Sequence, residues 1–382
     1  MRLLRLLLSV CLAVAVALPA AADDDPVIRV AILQAEGDFV ISARGVYTVT
    51  DQKSGMLLVE GRRLRRSRVQ AVDGGLAIGS RFFDSRHLRV SSQKDVTIYA
   101  HNKQGQFRGS IDVIAGKDGK LLVINRLDLE SYVKGVLLHE VSDRWPIEAT
   151  KAQAVATRTY ALYKAAENKA QPFDVTSDIY SQVYGGKTAE RFRTDIAAEY
   201  TKGQVMVFEG KIIPAFFHAN SGGHTEDANI VWGIDLPPLK GVEDPYSKDM
   251  PAYTWKKNFQ SREIQEKLQA AGIKVGMIKD IEVTNRTPSG RIQELVIRSR
   301  DGKTTRLTGK KFRDIIGPNL VRSNMYEVDM QGFYFDLTGK GWGHGVGLCQ
   351  WGAYQMARQR HDYDEILRYY YPGIEIKKVK AD

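Results

Sequence analysis

Asn125 to Tyr163 reads NRLDLESYVKGVLLHEVSDRWPIEATKAQAVATRTYALY, and the organisation of the whole chain follows from how this stretch folds. Its first half carries Leu129, Val133 and Val136 at helical spacing, and the next position on that apolar stripe is Glu140. Trp145-Pro146 interrupts the pattern, with Pro146 suited to a first helical turn. Beyond it, Ala149, Ala152, Ala156, Thr159 and Tyr163 give a small-residue face that lets another element approach closely. The stretch therefore reads as two helices pinned at a Trp-Pro corner with one glutamate at the joint. Glu140 has two readings. It is a helix-terminal glutamate with its stem packed and its head in water, or it is a site. Burial disfavours the charged form of a carboxylate and raises its pKa, which a general acid working near neutral pH requires.

Toward the N-terminus, Asp118-Gly119 supplies hairpin turn chemistry between two β-rich runs that lead into the helical pair. From Val27 to about Ile114 the pattern is short alternating or apolar runs between turn residues, which predicts a small β domain. Within it, Gly61 to Val69 (GRRLRRSRV) is the densest cationic run. It is either a solvated strand or loop face, or an attractor of an acidic glycan or teichoic-type polymer. The chain opens with Arg2 and Arg5, an apolar run from Leu6 to Leu18, and Ala20-Ala21-Ala22 before three aspartates. This is the layout of a secretory signal peptide cleaved after Ala22, and the apolar run is short for a membrane span. Val10 before Cys11 argues against a lipoprotein anchor. With Cys11 removed, Cys349 is the one mature cysteine and no intramolecular disulfide can form. The formal charge of +10 falls to about +8 once Arg2 and Arg5 leave. Such a basic exported protein suits anionic wall polymers or membrane surfaces, and export argues against nucleic acid.

Toward the C-terminus come the run Gln182-Val183-Tyr184-Gly185-Gly186, then His218-Ala219-Asn220-Ser221-Gly222-Gly223-His224-Thr225-Glu226. Ala189 to Thr201 is predicted helical, and QVMVFEG and KIIPAFFHAN as strands. Trp255 to Gly272 looks helical, and strand runs separated by the turn signals Thr287-Pro288-Ser289-Gly290 and Asp301-Gly302 follow, with a closing helix at Lys310 to Ile316. Thr254 to Arg322 is thus expected as an inserted α+β subdomain. Phe333 to Gln359 alternates glycine with aromatics (GKGWGHGVGLCQWG) and lacks the Gly-Lys-Ser/Thr end of a phosphate loop. Alternate glycines permit close approach of a backbone or sugar ring, and Trp342 and Trp351 offer flat apolar faces. Helices are expected from Gln350 to Arg360 and over Tyr363 to Tyr371.

These blocks resemble the SpoIID/LytB family. The matching residues are the Asn-Arg-Leu lead-in at Asn125, Gly135-Val136-Leu137, Glu140, Trp145-Pro146, Glu148-Ala149, the Lys151 to Ala156 run with Arg158 to Ala161, and the three later glycine-bearing segments. Ala219 and Cys349 stand where the family commonly has serine. The resemblance covers Ile114 to Gly373. It implies a lytic transglycosylase acting on peptidoglycan with Glu140 as its catalytic acid. It also implies a glycan cleft to which Gln182, Tyr184, His218, Ser221, Gly222, Gly223, Trp342, His344, Gln350 and Trp351 contribute. Some relatives bind a metal near Cys and His residues after the helical pair; this chain has neither between Pro172 and Thr188, so no metal and no cofactor are expected.

Hydrolysis of a glycoside usually needs two carboxylates flanking the bond. Asp143 and Glu148 are close to Glu140 in sequence, but neither lies in a matching context. One carboxylate suffices for transglycosylation, in which the sugar's own 6-hydroxyl attacks to give a 1,6-anhydro ring. His139 points about 100° away from Glu140 on a helix and reads as structural. His218, His224 and His344 could meet by folding, but no tight ligand spacing links them. Cys349 reads as a buried structural thiol rather than a nucleophile. The expectation is an α+β fold: a signal peptide (1–22), a β-rich domain (23–113), a core (114–253), the insert (254–322) and a closing core segment (323–382). The expected activity is cleavage of MurNAc-GlcNAc strands in the extracytoplasmic wall space. The alternative is a glycan-binding module that enhances a partner cell-wall amidase.

Overall fold

The computed structural model describes residues 26–101, 103–178 and 181–379; the expected signal peptide and Cys11 lie outside them. The fold is α+β, built from mostly antiparallel sheets and eight α-helices among the described residues. The helices are α1 (Leu129–Glu140), α2 (Ile147–Glu167), α3 (Phe192–Tyr200), α4 (Ala228–Trp232), α5 (Ser261–Ala270), α6 (Gly309–Ile316), α7 (Gln350–Arg358) and α8 (Tyr363–Tyr370). None is long and apolar enough to cross a membrane.

Two sheets make the N-terminal part. Seven strands run in the order Val175–Thr176, Val27–Glu36, Leu121–Asp128, Ser110–Ala115, His87–Ser92, Tyr47–Asp51, Leu57–Gly61. Six more form the order Lys103–Phe107, Val96–Ala100, Asp38–Ala43, Leu64–Val72, Gly75–Ile78, Arg81–Phe83. The Asp118-Gly119 turn joins Ser110–Ala115 to Leu121–Asp128 as expected, with Gly119 at φ 76°. The domain boundary expected at residue 113 is not where the core divides. Ser110–Ala115 and Leu121–Asp128 are inner strands of the seven-stranded sheet, and one apolar core runs from Ile28 through α1 and α2 to Ile374.

That sheet delivers the chain into α1. Asp128 ends its strand and caps the helix, its Oδ1 accepting from the Ser131 amide at 2.8 Å. Leu129, Val133 and Val136 are buried as their spacing predicts, each worth roughly 1.5–3 kcal/mol on burial. Pro146 is the N-cap of α2 rather than a first-turn residue, and Ala149, Ala152, Ala156 and Thr159 are buried on the face expected. An ion pair locks the two helices. The fully buried Arg158 guanidinium donates to Glu130 Oε1 and Oε2 at 2.8 and 2.7 Å, and to the carbonyls of Ala198 and Gln204.

A second core lies between Trp255 and Leu337. It extends past the Arg322 boundary expected from sequence, because Thr254–Gln260 pairs along Tyr334–Lys340, which in turn pairs with Tyr326–Gln331. Trp255 to Gly272 is not one helix: Thr254–Gln260 is a strand, and α5 follows it. Of KIIPAFFHAN, only Lys211–Ile212 and Phe217–His218 are extended in sheets.

Candidate active site

Glu140 is the last residue of α1, so its side chain leaves the helix at the joint before α2. Its Oε1 accepts from the Val183 amide at 3.3 Å and its Oε2 from Gln350 Nε2 at 3.3 Å. Gln350 also donates to Gln153 Oε1 at 3.4 Å, and Gln153 donates to Thr157 Oγ1, so a chain of neutral amides anchors the carboxylate. No cation lies within ion-pair distance of it among the described residues. Burial raises the Glu140 pKa above the usual glutamate value, while the hydrogen bonds from Gln350 and Val183 partly oppose it. A helix C-terminus is also the negative end of the macrodipole, which disfavours an anion further.

Two concavities meet at this carboxylate. One, of about 560 Å³, runs from Glu140 past Tyr160, Phe216, His218, Trp232 and His344. The other, of about 710 Å³, runs past Trp145, Arg322, Trp351 and Tyr354. Glu140, Ala219, Trp342 and Gln350 line both, so the acid stands midway along one groove. Each arm has an aromatic wall. Trp232 packs 4.4 Å from Phe216 and 4.9 Å from His344 between ring centroids. Trp145, Trp351 and Tyr354 cluster at 4.8 to 5.3 Å in the other arm. Trp342 carries the Arg322 guanidinium over one face at 4.6 Å.

The glycine-rich segments let these walls close. Gly343, at φ 118°, packs so tightly that a Cβ would sit 2.6 Å from that of His218. Gly345, at φ 89°, would collide with the Arg291 guanidinium at 2.4 Å. Arg291 comes from the inserted unit and donates to the carbonyls of Ser221 and His224 at 2.7 and 2.8 Å. Beside it, the Thr287 and Ser289 hydroxyls donate to Glu226 Oε2 at 2.6 and 2.8 Å. The predicted turn at 287–290 is thus a clamp on the groove wall. His218 and His344 lie together, ring centroids 5.6 Å apart, while His224 turns to its own neighbour's carbonyl. His218 Nδ1 is 3.1 Å from the Val346 carbonyl, which assigns the proton there and leaves Nε2 as a buried acceptor with no partner among the described residues. His344 Nδ1 accepts from the Val346 amide at 3.0 Å. Burial holds both imidazoles neutral, His344 down to about 3, with the positive charge of Arg313 adding to the effect at His344.

Of the expected groove residues, His218, Trp342, His344, Gln350 and Trp351 line it with Glu140. Gln182, Tyr184, Ser221, Gly222 and Gly223 do not. Gln182 accepts from Tyr132 at 2.7 Å, and Tyr184 stacks on Tyr132 and donates to Asn125 Oδ1 at 2.7 Å, all buried. Ser221 donates to Asp244 Oδ2 at 2.6 Å behind the wall, and Gly222 packs on the backbone at Lys340-Gly341. These five build the walls instead of facing the groove. Cys349 caps α7 with its sulfur, and burial together with Asp244 pushes its thiol far up, which leaves no thiolate. Trp232, Phe216, Tyr354 and Arg322 line the groove without having been singled out by motif. Among the described residues one further carboxylate lines the first arm, Glu167, held by Tyr163 and Lys164 at 2.7 Å each. It stands fourteen residues along α2 from Gln153, a rise of about 21 Å, at the far end from Glu140.

The family described as "SpoIID: Stage II sporulation protein" matches residues 117–208, the segment that holds α1, α2 and Glu140. Stage II sporulation protein D of Bacillus subtilis (strain 168) is 33% identical over 275 residues, which cover 68% of this chain and 77% of that protein. The chain belongs to the stage II sporulation protein D family. An uncharacterized protein of Brachyspira hyodysenteriae is 33% identical over 353 residues, 92% of each chain, so the likeness there includes the N-terminal sheets. The amidase enhancer of Bacillus subtilis is 28% identical over 285 residues, 63% of this chain and 39% of that protein. A domain of unknown function (DUF8618) matches residues 239–347, and this span holds the inserted unit and its 287–291 clamp.

Proposed function

We propose that this member of the stage II sporulation protein D family is an exported lytic transglycosylase that cleaves peptidoglycan strands, with Glu140 as acid and then base. The observation that carries the reading is an uncharged-prone carboxylate midway along an open groove with aromatic walls on both sides. A strand laid along the groove puts sugars in both arms and one glycosidic bond over Glu140. Protonated Glu140 gives its proton to the bridging oxygen as the C1–O bond breaks. The muramic acid 6-hydroxyl then attacks C1, and its proton returns to the Glu140 carboxylate. The products are a 1,6-anhydro end and a new 4-hydroxyl, with no water consumed. A hydrolase would need a second carboxylate about 5–10 Å away. Glu167, at the far end of the arm, is a poor candidate for that role.

A second reading takes its support from the amidase enhancer among the relatives: the groove binds glycan and a cell-wall amidase does the cutting. Mass analysis of purified glycan strands after incubation separates the two. The first reading expects 1,6-anhydro ends from the parent protein and none from Glu140→Gln. Reducing ends overturn it in favour of a hydrolase, and uncut strands that nonetheless bind favour the enhancer.

A further inference from the structure

The cationic run at Gly61 to Val69 is solvent-exposed and, in three dimensions, lines a concavity. Leu64–Val72 pairs with Asp38–Ala43, which pairs with Val96–Ala100, which pairs with Lys103–Phe107. Across these strands Arg44, Arg63, Arg65, Arg66, Ser42 and Tyr99 surround a cavity of about 300 Å³. Arg66 stacks over the Tyr99 ring at 4.3 Å, and the Tyr99 hydroxyl is 3.5 Å from Ser42 Oγ. The hydrogen bond from Ser42, then the charges of Arg66 and Arg44, pull the Tyr99 hydroxyl below its usual range. Arg68 is paired with Asp38, but among the described residues no carboxylate reaches ion-pair distance of Arg44, Arg63, Arg65 or Arg66. Four guanidinium groups around one concavity repel each other, and among the described residues no ion pair offsets that repulsion. A neighbouring concavity of about 210 Å³ shares Arg63 and Arg65 and adds Arg81 at its rim, over a lining that includes the core residues Tyr47, Val49, Ile78 and Phe83.

We propose that this arginine cluster on the N-terminal sheets binds an anionic polymer whose charges are phosphodiester groups, such as a polyol-phosphate chain. A phosphate presents oxygens in several directions and can take more than one guanidinium fork at a time, whereas a carboxylate is filled by one. Two linked concavities fit consecutive groups of a chain better than a single ion. A lipid bilayer is disfavoured, because the cavity lining is polar and offers no exposed apolar side chain for insertion. Base stacking is not provided for either, since the ring in the cavity, Tyr99, is already covered by Arg66 on one face. The site lies on strands separate from the Glu140 groove and does not depend on its chemistry.

The test is fluorescence anisotropy of labelled poly(glycerol phosphate) titrated with the full protein at several salt concentrations. The parent should bind in a salt-dependent way, and Arg63→Gln/Arg65→Gln/Arg66→Gln should weaken binding by on the order of tenfold or more and flatten the salt slope. The single variants Arg44→Gln and Arg66→Gln, which leave the strands' packing residues intact, should each weaken it several-fold. A control that removes Lys256, Lys267 and Lys310 by glutamine substitution alters the charge equally and should leave binding unchanged. Equal weakening in that control would reduce the effect to net charge and overturn the site. Arginine-dependent binding to phosphatidylglycerol vesicles or to a single-stranded oligonucleotide that exceeds binding to the polymer would overturn the ligand class. Cleavage of isolated glycan strands by the triple variant should match the parent.

Discussion

Glu130 and Glu140 sit in the first and last turns of the same helix, and they show how environment assigns opposite roles to one residue type. Glu130 meets a bidentate guanidinium from Arg158 and the Gly203 amide, so its charge is matched. Among the described residues Glu140 meets the neutral amides of Val183 and Gln350 and no cation, and it opens on the groove. The first arrangement matches a carboxylate with a guanidinium and locks two helices. The second makes ionisation costly and leaves a proton available for chemistry.

The largest effect expected from breaking this contrast is at the matched end. Glu130→Ala strands a fully buried Arg158 and should cost about 3–5 kcal/mol of stability, read by chemical denaturation. The unmatched end should behave the other way. Glu140→Gln should lose at least ~100-fold in glycan cleavage, about 2.7 kcal/mol at the transition state, while still folding and binding strands. A Glu140→Gln protein that cuts as fast as the parent would transfer the acid role to another residue. Removing a wall should show in binding. Trp342→Ala, with one ring face already under Arg322, should weaken strand affinity by about 1–3 kcal/mol, measured by calorimetry. Unchanged affinity would make Trp342 a packing residue.

Two smaller effects follow from the raised Glu140 pKa. On the proposed mechanism cleavage uses the protonated form and should fall at alkaline pH. Gln350 lowers the pKa by its hydrogen bond, so Gln350→Ala should move that falling limb to higher pH. A shift to lower pH would contradict the assignment. Stability should respond with a defined sign. Between the unfolded and native pKa values of Glu140 the native state holds more protons, so stability falls as pH rises through that window. Glu140→Gln should therefore be slightly more stable than the parent above the native pKa, and the difference should close in acid. Thermal melts at several pH values check it.

Much of this contrast was legible in the chain. The Leu129–Val133–Val136 stripe ends at Glu140 because helical periodicity is a local property, and α1 stops there as the pattern implies. Asp118-Gly119 made its hairpin for the same reason. Local reading failed where a pattern fits two structures. Trp255 and Phe259 are four apart, a spacing that satisfies one face of a helix and also one face of a strand. Pairing with Tyr334–Lys340, some eighty residues on, selected the strand and moved the insert's boundary. The glycine blocks were recognisable, but not which side chains beside them face outward. Tyr184 and Ser221 turn toward Tyr132 and Asp244, partners that only the folded chain brings close.

The sequence by itself determined the helical pair, the acid at its joint, the α+β class and the position of a basic run, because each depends on neighbours within a few turns or on composition. The tertiary structure decided the rest. It joined two concavities at Glu140, brought Trp232 and Tyr354 to its arms, and set Arg291 of the insert behind Gly345. It also withheld a counter-charge from Glu140 while giving one to Glu130. Those outcomes depend on which distant groups share a low-dielectric volume, and the raised pKa of Glu140 exists only once that volume is closed.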